Sequence, residues 1–197
     1  MRNNKDFNYA RVIAGSLKGR KIAMPKFAET RPTKAIVRES LFSTIAFEIE
    51  DSVFIEVFAG SGSVGIEAIS RGAKKAIFLE QNPEAIKIIN ENLNSLKITN
   101  FEIIRGDSFE IFGNLIKTIE TSQKNAIFYF DPPFLIRENF LGIYDRVTNL
   151  INQIPRDLAK LIIIEHLSDH KFPSKIAEFS HSKTAKFGKT SISYFRT

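Results

Sequence analysis

Four stretches of the chain carry residues whose type and spacing suit chemistry. The first is Glu56-Val57-Phe58-Ala59-Gly60-Ser61-Gly62-Ser63-Val64-Gly65, an apolar run that opens into a glycine-rich turn. Gly60, Gly62 and Gly65 allow a tight turn and let a ligand come close to the backbone at the start of a helix. The second is Glu80, at the end of the next apolar run and 20 residues beyond Gly60. A carboxylate at that distance accepts hydrogen bonds from ribose hydroxyls. Together they predict a nucleoside-type ligand. The other reading is a turn with only a structural role.

The ligand's charge follows from Glu56. A negative charge just before the turn suits an amino-bearing or cationic ligand better than a pyrophosphate. S-adenosylmethionine, with its ammonium and sulfonium and no phosphate, fits this better than NAD. The third stretch is Asp131-Pro132-Pro133-Phe134, directly after the run AIFYF. Two prolines stiffen the chain and remove two N–H donors, which leaves nearby carbonyls as acceptors. Asp131 adds a carboxylate, and Phe134 adds a flat surface for stacking. This set suits a planar base with an exocyclic amine, and an NAD enzyme would leave it unexplained. A proline-rich turn with Phe134 in the core is the plainer alternative.

The fourth feature is charge. Ten Lys and Arg but only two acids fall in residues 1–38, and six against one in residues 170–197, so the middle of the chain is acidic although the net charge is +6. Basic ends on an acidic body predict contact with an anionic partner, or else solvated termini. Arg11, Lys18, Arg20, Lys21, Arg31, Lys34 and Arg38 are the concentrated cations. Arg31 or Arg38 could instead pair with acids to anchor a helix. His166, His170 and His181 form no metal-like cluster with carboxylates and read as structural or surface residues, so no metal is expected. With no Cys, disulfides, Cys-ligated zinc, iron–sulfur sites and cysteine nucleophiles drop out. No apolar run approaches the roughly 18 residues of a membrane span. MRNNKDFNYA lacks a signal-peptide core, which makes the cytoplasm the expected compartment.

The elements that must position these residues follow from periodicity. Residues 1–9 read as a loose tail, and Arg11–Ala14 and Arg20–Met24 as a small hairpin. Thr33 is expected to cap a helix with its apolar face at Ile36, Val37, Leu41, Phe42, Ile45 and Ile49. From Val53 the pattern becomes strand–helix alternation. Strands are expected at 53–58, 76–80, 101–105, 126–130 and 160–165, and helices after the glycine turn and at 83–96, 108–119 and 140–151. Two last runs, 176–180 and 191–195, have too little chain between them for a crossover and should pair antiparallel. Continuous apolar strands alternating with helices predict an α/β fold with a parallel sheet covered on both faces. In such a sheet, ligands bind beyond the carboxyl ends of the strands, so the glycine turn and DPPF should be neighbours.

At this point the chain resembles a known group. It resembles class I S-adenosylmethionine-dependent methyltransferases with the [DN]-P-P-[FYW] motif. More narrowly it resembles the RsmD family, the bacterial small-subunit rRNA guanine-N2 methyltransferases. The narrowing comes from Arg11-Val12-Ile13-Ala14-Gly15 and Arg31-Pro32-Thr33, with Lys18-Gly19-Arg20, Val37-Arg38-Glu39-Ser40-Leu41-Phe42, Ser70-Arg71-Gly72-Ala73 and Phe187-Gly188-Lys189-Thr190 in support. Glu56 stands where the family usually has Asp, and Phe187 and Lys189 where Tyr and Asp are expected.

The resemblance implies a Rossmann-like, seven-stranded, mostly parallel sheet with an antiparallel last strand and helices on both faces. An appendage at 1–33 would precede a methyltransferase domain at 34–197. The cofactor would contact Glu56, Phe58, Gly60, Ser61, Gly62, Gly65, Glu80, Gln81, Asp107 and Ser108. Asp131, Pro132, Pro133 and Phe134 would serve the reacting amine. Arg11, Lys18, Arg20, Lys21, Arg31, Thr33 and Arg38 would contact RNA. The partner would be 16S rRNA, in the small ribosomal subunit or an assembly intermediate; a monomer is the default expectation. Adenine-N6 methyl transfer and a non-catalytic RNA-binding assembly factor are the competing readings.

Overall fold

The structure, a computed structural model, describes residues 8–25, 32–119, 125–133 and 142–197. Arg31 and Phe134 lie outside these residues, as does most of the expected tail and the start of the helix expected at 140.

The chain opens with a hairpin of β1 (Asn8–Arg11) and β2 (Lys21–Met24), paired antiparallel with Arg11 opposite Lys21. The strand thus includes Asn8 and Tyr9, which the tail reading had excluded. Helix α1 (Pro32–Thr44) already includes Thr33, so Thr33 is a helical residue and not the cap. Val37, Leu41, Phe42, Ile45 and Ile49 are buried as expected, but Ile36 is 57% exposed. It lies one residue before Val37, off the stripe that the sheet covers.

The body alternates strands and helices: β3 (Val53–Val57), α2 (Ser63–Ser70), β4 (Lys75–Glu80), α3 (Pro83–Ser95), β5 (Phe101–Arg105), α4 (Ser108–Ile119), β6 (Ala126–Phe130), α5 (Ile143–Ile151) and β7 (Ala159–Leu167). The chain closes with β8 (Lys175–Ile176), β9 (Phe179–Phe187) and β10 (Thr190–Arg196). The sheet order is β5-β4-β3-β6-β7-β10-β9-β8, with β3 to β7 parallel and the last three strands antiparallel. Among the described residues this sheet has eight strands where seven were expected, because a two-residue strand joins its edge. The final antiparallel pair is as expected, although β9 runs seven residues beyond Ser180.

Side-chain alternation divides the core into two layers. Ile55, Ile77, Phe128, Phe130, Ile162 and Ile164 face α4 and α5. Phe54, Ile127, Tyr129, Leu161 and Ile163 face α1 and α2, and Phe78 on the same side meets α2, α3 and the hairpin. Residues on a strand point to opposite faces in turn. Glu56, Tyr129, Asp131 and Glu165 therefore share the α1 side, and Glu80 joins them on that side at β4.

The hairpin is bound into this layer. Val12 and Ile22 are buried with Phe78 and Ile89. The buried Glu67 carboxylate accepts the backbone N–H groups of Ile13 (2.7 Å) and Ala14 (3.0 Å), and Asn92 exchanges two hydrogen bonds with the Ala23 backbone. At Gly15 a Cβ atom would fall 1.8 Å from the Ser70 carbonyl oxygen, so only glycine allows this approach of loop to helix. Among the described residues, no helix is long and apolar enough to cross a membrane.

Candidate active site

The carboxyl ends of β3 and β6 separate the halves of the sheet, and the expected neighbours meet there. A cleft of about 850 Å³ is lined by the glycine turn (Phe58 to Ser61), Glu56, Asp131, Pro132, Pro133 and Glu165, with α1 and hairpin residues Tyr9 to Ile13 forming the opposite wall. That volume suits a nucleoside-sized ligand.

The turn is built by its acids. Glu56 is buried, and its Oε2 accepts the Gly65 N–H at 2.8 Å at the start of α2. At Gly65 a Cβ would sit 2.4 Å from the Phe78 ring and 3.0 Å from Glu56 Oε2, so the third glycine serves packing against the strands. Gly60 and Gly62 have φ of 57° and 71°. Phe58 also has a positive φ, 68°, which costs a non-glycine residue of order 1–3 kcal/mol and marks a site held by its surroundings. Its ring lies 5.1 Å from that of Phe109 at the edge of the cleft.

Glu80 ends β4 and accepts three backbone N–H groups, from Gly60 (2.7 Å), Gln81 (2.9 Å) and Asn82 (2.8 Å). A carboxylate has about four acceptor positions. With three of these filled, the residue ties the turn in place. Asp107 Oδ1 accepts the Phe109 N–H at the start of α4, and Ser108 is buried. Of the residues expected to contact a cofactor, Glu56, Phe58, Gly60 and Ser61 line the cleft, and Gly62, Gly65, Glu80, Gln81, Asp107 and Ser108 are not among its lining residues.

At the other end, Asp131 contributes a 28% exposed carboxylate next to buried Pro132 and exposed Pro133. Its Oδ2 accepts from Lys34 Nζ at 3.0 Å, and the same ammonium lies 2.5 Å from Glu165 Oε1. Glu165 Oε2 accepts from the Tyr129 hydroxyl at 2.6 Å. Desolvation, and then the nearby Glu165 charge, push the Asp131 carboxyl above its ordinary range, while Lys34 pulls it back.

The basic set divides. Arg11, Lys18, Arg20 and Lys21 are exposed on the hairpin. Arg38 is not. It is 7% exposed, donates to the Arg11 carbonyl at 2.7 Å and lies 3.8 Å from Glu67. It anchors α1 to the hairpin and is removed from the surface cations. Lys34 is likewise turned to two carboxylates instead of to a phosphate. His166 binds Ser193 Oγ and the Leu167 carbonyl, His181 binds Thr184, and His170 packs on Tyr144, all structural contacts.

Glu67, Tyr129, Glu165 and Lys34 are the site residues that sequence reading missed or misplaced. A signal existed for Glu165: in LIIIE an acid follows a run of apolar strand residues, as in VFIE and KAIFLE.

Residues 10–196 match the protein family described as Conserved hypothetical protein 95. Ribosomal RNA small subunit methyltransferase D of Escherichia coli (strain K12) is 30% identical over 180 residues, covering 90% of this chain and 85% of the relative. The chain belongs to the RsmD family. The solved structure of the Escherichia coli protein yhhF superposes with a TM-score of 0.75 at 28% identity, over 96% of this chain and 98% of that one. A more distant structure shares the fold alone: the T. thermophilus 16S rRNA N2 G1207 methyltransferase RsmC, solved with AdoMet and guanosine. It has a TM-score of 0.69 at 14% identity and matches 97% of this chain and 50% of its own. The family match begins at residue 10, inside β1, and so takes in most of the hairpin as well as the sheet.

Proposed function

We propose that this RsmD-family chain methylates the exocyclic N2 amine of one guanine in small-subunit rRNA, using S-adenosylmethionine. The observation that carries the reading is the single cleft that joins the glycine turn to the Asp131-Pro132-Pro133 carboxylate and carbonyls. The donor supplies a methyl group already activated by a positive sulfur, so the protein's task is alignment. Glu80 and the Gly60–Gly62 backbone hold the nucleoside and methionine parts, and Asp107 and Ser108 border the base. Asp131 and the Pro132 carbonyl accept hydrogen bonds from the amine, turning its lone pair to the methyl carbon and favouring the charge that develops on nitrogen.

The hairpin is the RNA grip. Phosphate contacts give affinity and orientation, and an unpaired base enters the cleft. The substrate is the small subunit or its assembly intermediate, met in the cytoplasm by a monomeric enzyme.

The deciding experiment is transfer of labelled methyl from S-adenosylmethionine to small subunits lacking this modification, with the product nucleoside identified. N2-methylguanosine at one site is expected. N6-methyladenosine would overturn the base assignment, and no transfer with intact cofactor binding would overturn the substrate.

Two further outcomes follow. Lys18→Glu with Arg20→Glu, remote from the cleft, should weaken RNA binding and lower the slope of log K against log salt by roughly two, one per lost phosphate contact. Cofactor affinity should not change. Unaltered RNA affinity and salt slope would remove the hairpin from the interface. The second outcome concerns Glu56, whose carboxyl burial pushes up to about 8 against the pull of the Gly65 and Val64 amides. It is mostly protonated near pH 7, and a cationic ligand favours its ionised form. Binding of S-adenosylmethionine should release part of a proton and tighten as the pH rises, levelling off once it passes the free-state value of about 8. Calorimetry in buffers of different ionisation heat reads this directly, and zero release would place Glu56 outside the ligand's field.

A further inference from the structure

Lys34 stands in the first turn of α1, where the helix dipole disfavours a cation and no acidic side chain offsets it. Its place is explained by the two carboxylates it bridges. Register sets Phe130 beside Ile164, so Asp131 and Glu165 follow at one level on adjacent parallel strands. Glu165 is 1% exposed and holds the Tyr129 hydroxyl on its second oxygen. Two carboxylates so placed cannot both ionise readily unless a cation lies between them. The other groups facing Asp131 do not supply one. Glu56 on β3 is acidic, Tyr129 on β6 and Tyr144 on α5 are phenols, and Arg38 on α1 is turned to Glu67 and the Arg11 carbonyl.

We propose that Lys34 is a positioning residue for methyl transfer. By binding Asp131 Oδ2 against the buried Glu165, it favours the ionised form of Asp131 and leaves Oδ1 as the acceptor for the substrate amine. Among the described residues, Oδ1 has no hydrogen bond, while Oδ2 has the Lys34 bond. In the reaction, the nitrogen–carbon bond forms as the carbon–sulfur bond breaks. The sulfur keeps the electron pair, and the amine proton passes to Asp131 Oδ1 and then to water. Glu165 acts through Lys34, and Tyr129 fixes Glu165. This inference rests on the methyl-transfer reading above.

The test measures pH–rate profiles of the full-length enzyme on small subunits lacking the modification. Lys34→Met should move the acidic limb of kcat up by about one pH unit or more and lower the rate at pH 7 about tenfold, with KM for S-adenosylmethionine unchanged. Lys34→Arg should restore most of the rate. Glu165→Gln, which removes the repelling charge, should move the limb the other way. Opposite shifts are not what a general loss of packing produces. Wild-type limbs in both Lys34→Met and Glu165→Gln, or parallel loss without any shift, would overturn the proposal. Should Lys34→Met fail to fold, Glu165→Gln and Lys34→Arg decide it.

Carboxyl-carbon NMR titration of Asp131 in the same proteins reads its ionisation without turnover. An Asp131 titration ordered Glu165→Gln, wild type, Lys34→Met from low to high pH supports the clamp even if no RNA proves to be methylated, an outcome that would sink the methyl-transfer reading alone. An unordered titration overturns the clamp even if methylation is confirmed.

Discussion

Asp131→Ala is expected to lower methyl transfer by about 10²–10³-fold while S-adenosylmethionine still binds with near-wild-type affinity. That magnitude is typical of losing one preorganised group that acts on developing charge in a sheltered site. Three features place the expectation here. The carboxylate lies on the cleft wall between two proline-stiffened positions and the end of β6. Its orientation is held by the Lys34 bond. The glycine turn, Glu56 and Glu80 are tied by hydrogen bonds of their own, none of which involves Asp131. Truncation should leave Lys34 paired with Glu165 and the fold intact. Single-turnover transfer and equilibrium cofactor binding on the same preparation are the measurements. A variant that methylates at the wild-type rate would eliminate Asp131 from the chemistry.

The largest stability effect is expected from Glu67→Ala, about 3–5 kcal/mol. Glu67 is fully buried and accepts from Ile13 N–H, Ala14 N–H and Arg71 Nε, with Arg38 Nε 3.8 Å away. Alanine strands two amides and leaves the Arg38 charge buried without its acid. Removing one partner of a buried ion pair costs that much because the other charge stays desolvated. Denaturant unfolding measures the loss, and hydrogen exchange should show it centred on Ile13 to Leu17. A change below about 1 kcal/mol would mean that water reaches and satisfies Arg38 and the amides. Glu67→Gln, which keeps an acceptor but not the charge, should fall between.

Much of the fold was legible because its strands are continuous apolar runs. The limits of β5, α4 and β6 coincide with those read from FEIIR, SFEIFGNLIKTI and AIFYF. The part of β9 beyond Ser180, HSKTAKF, was not legible. Its residues are largely exposed, so no alternation marks them, and Lys183 and Lys186 read as loop when they protect a sheet flank. The site divided in the same way. Glu56, Glu80 and Asp131 declared themselves as acids at the ends of apolar runs. Arg38 and Lys34 did not, since their partners lie far off in sequence, at Arg11 and Glu67 and at Asp131 and Glu165. Charge counts assign a cation to the surface by default. Only the packing of α1 across the sheet shows that Arg38 is buried and that Lys34, itself 45% exposed, turns to two carboxylates.

The hairpin has an evolutionary consequence. It supplies one wall of the reaction chamber and buries Val12 and Ile22 against β4 and α3. It is thus not an accessory that could be gained, lost or exchanged without cost. Trimming the chain to a minimal catalytic core would open the chamber and expose part of its own interior. A grafted hairpin with a different RNA preference would have to bring compatible partners for Glu67, Ser70 and Asn92. Where the proposed RNA grip holds, changes in the hairpin's target preference would be constrained by these same contacts to the sheet layer.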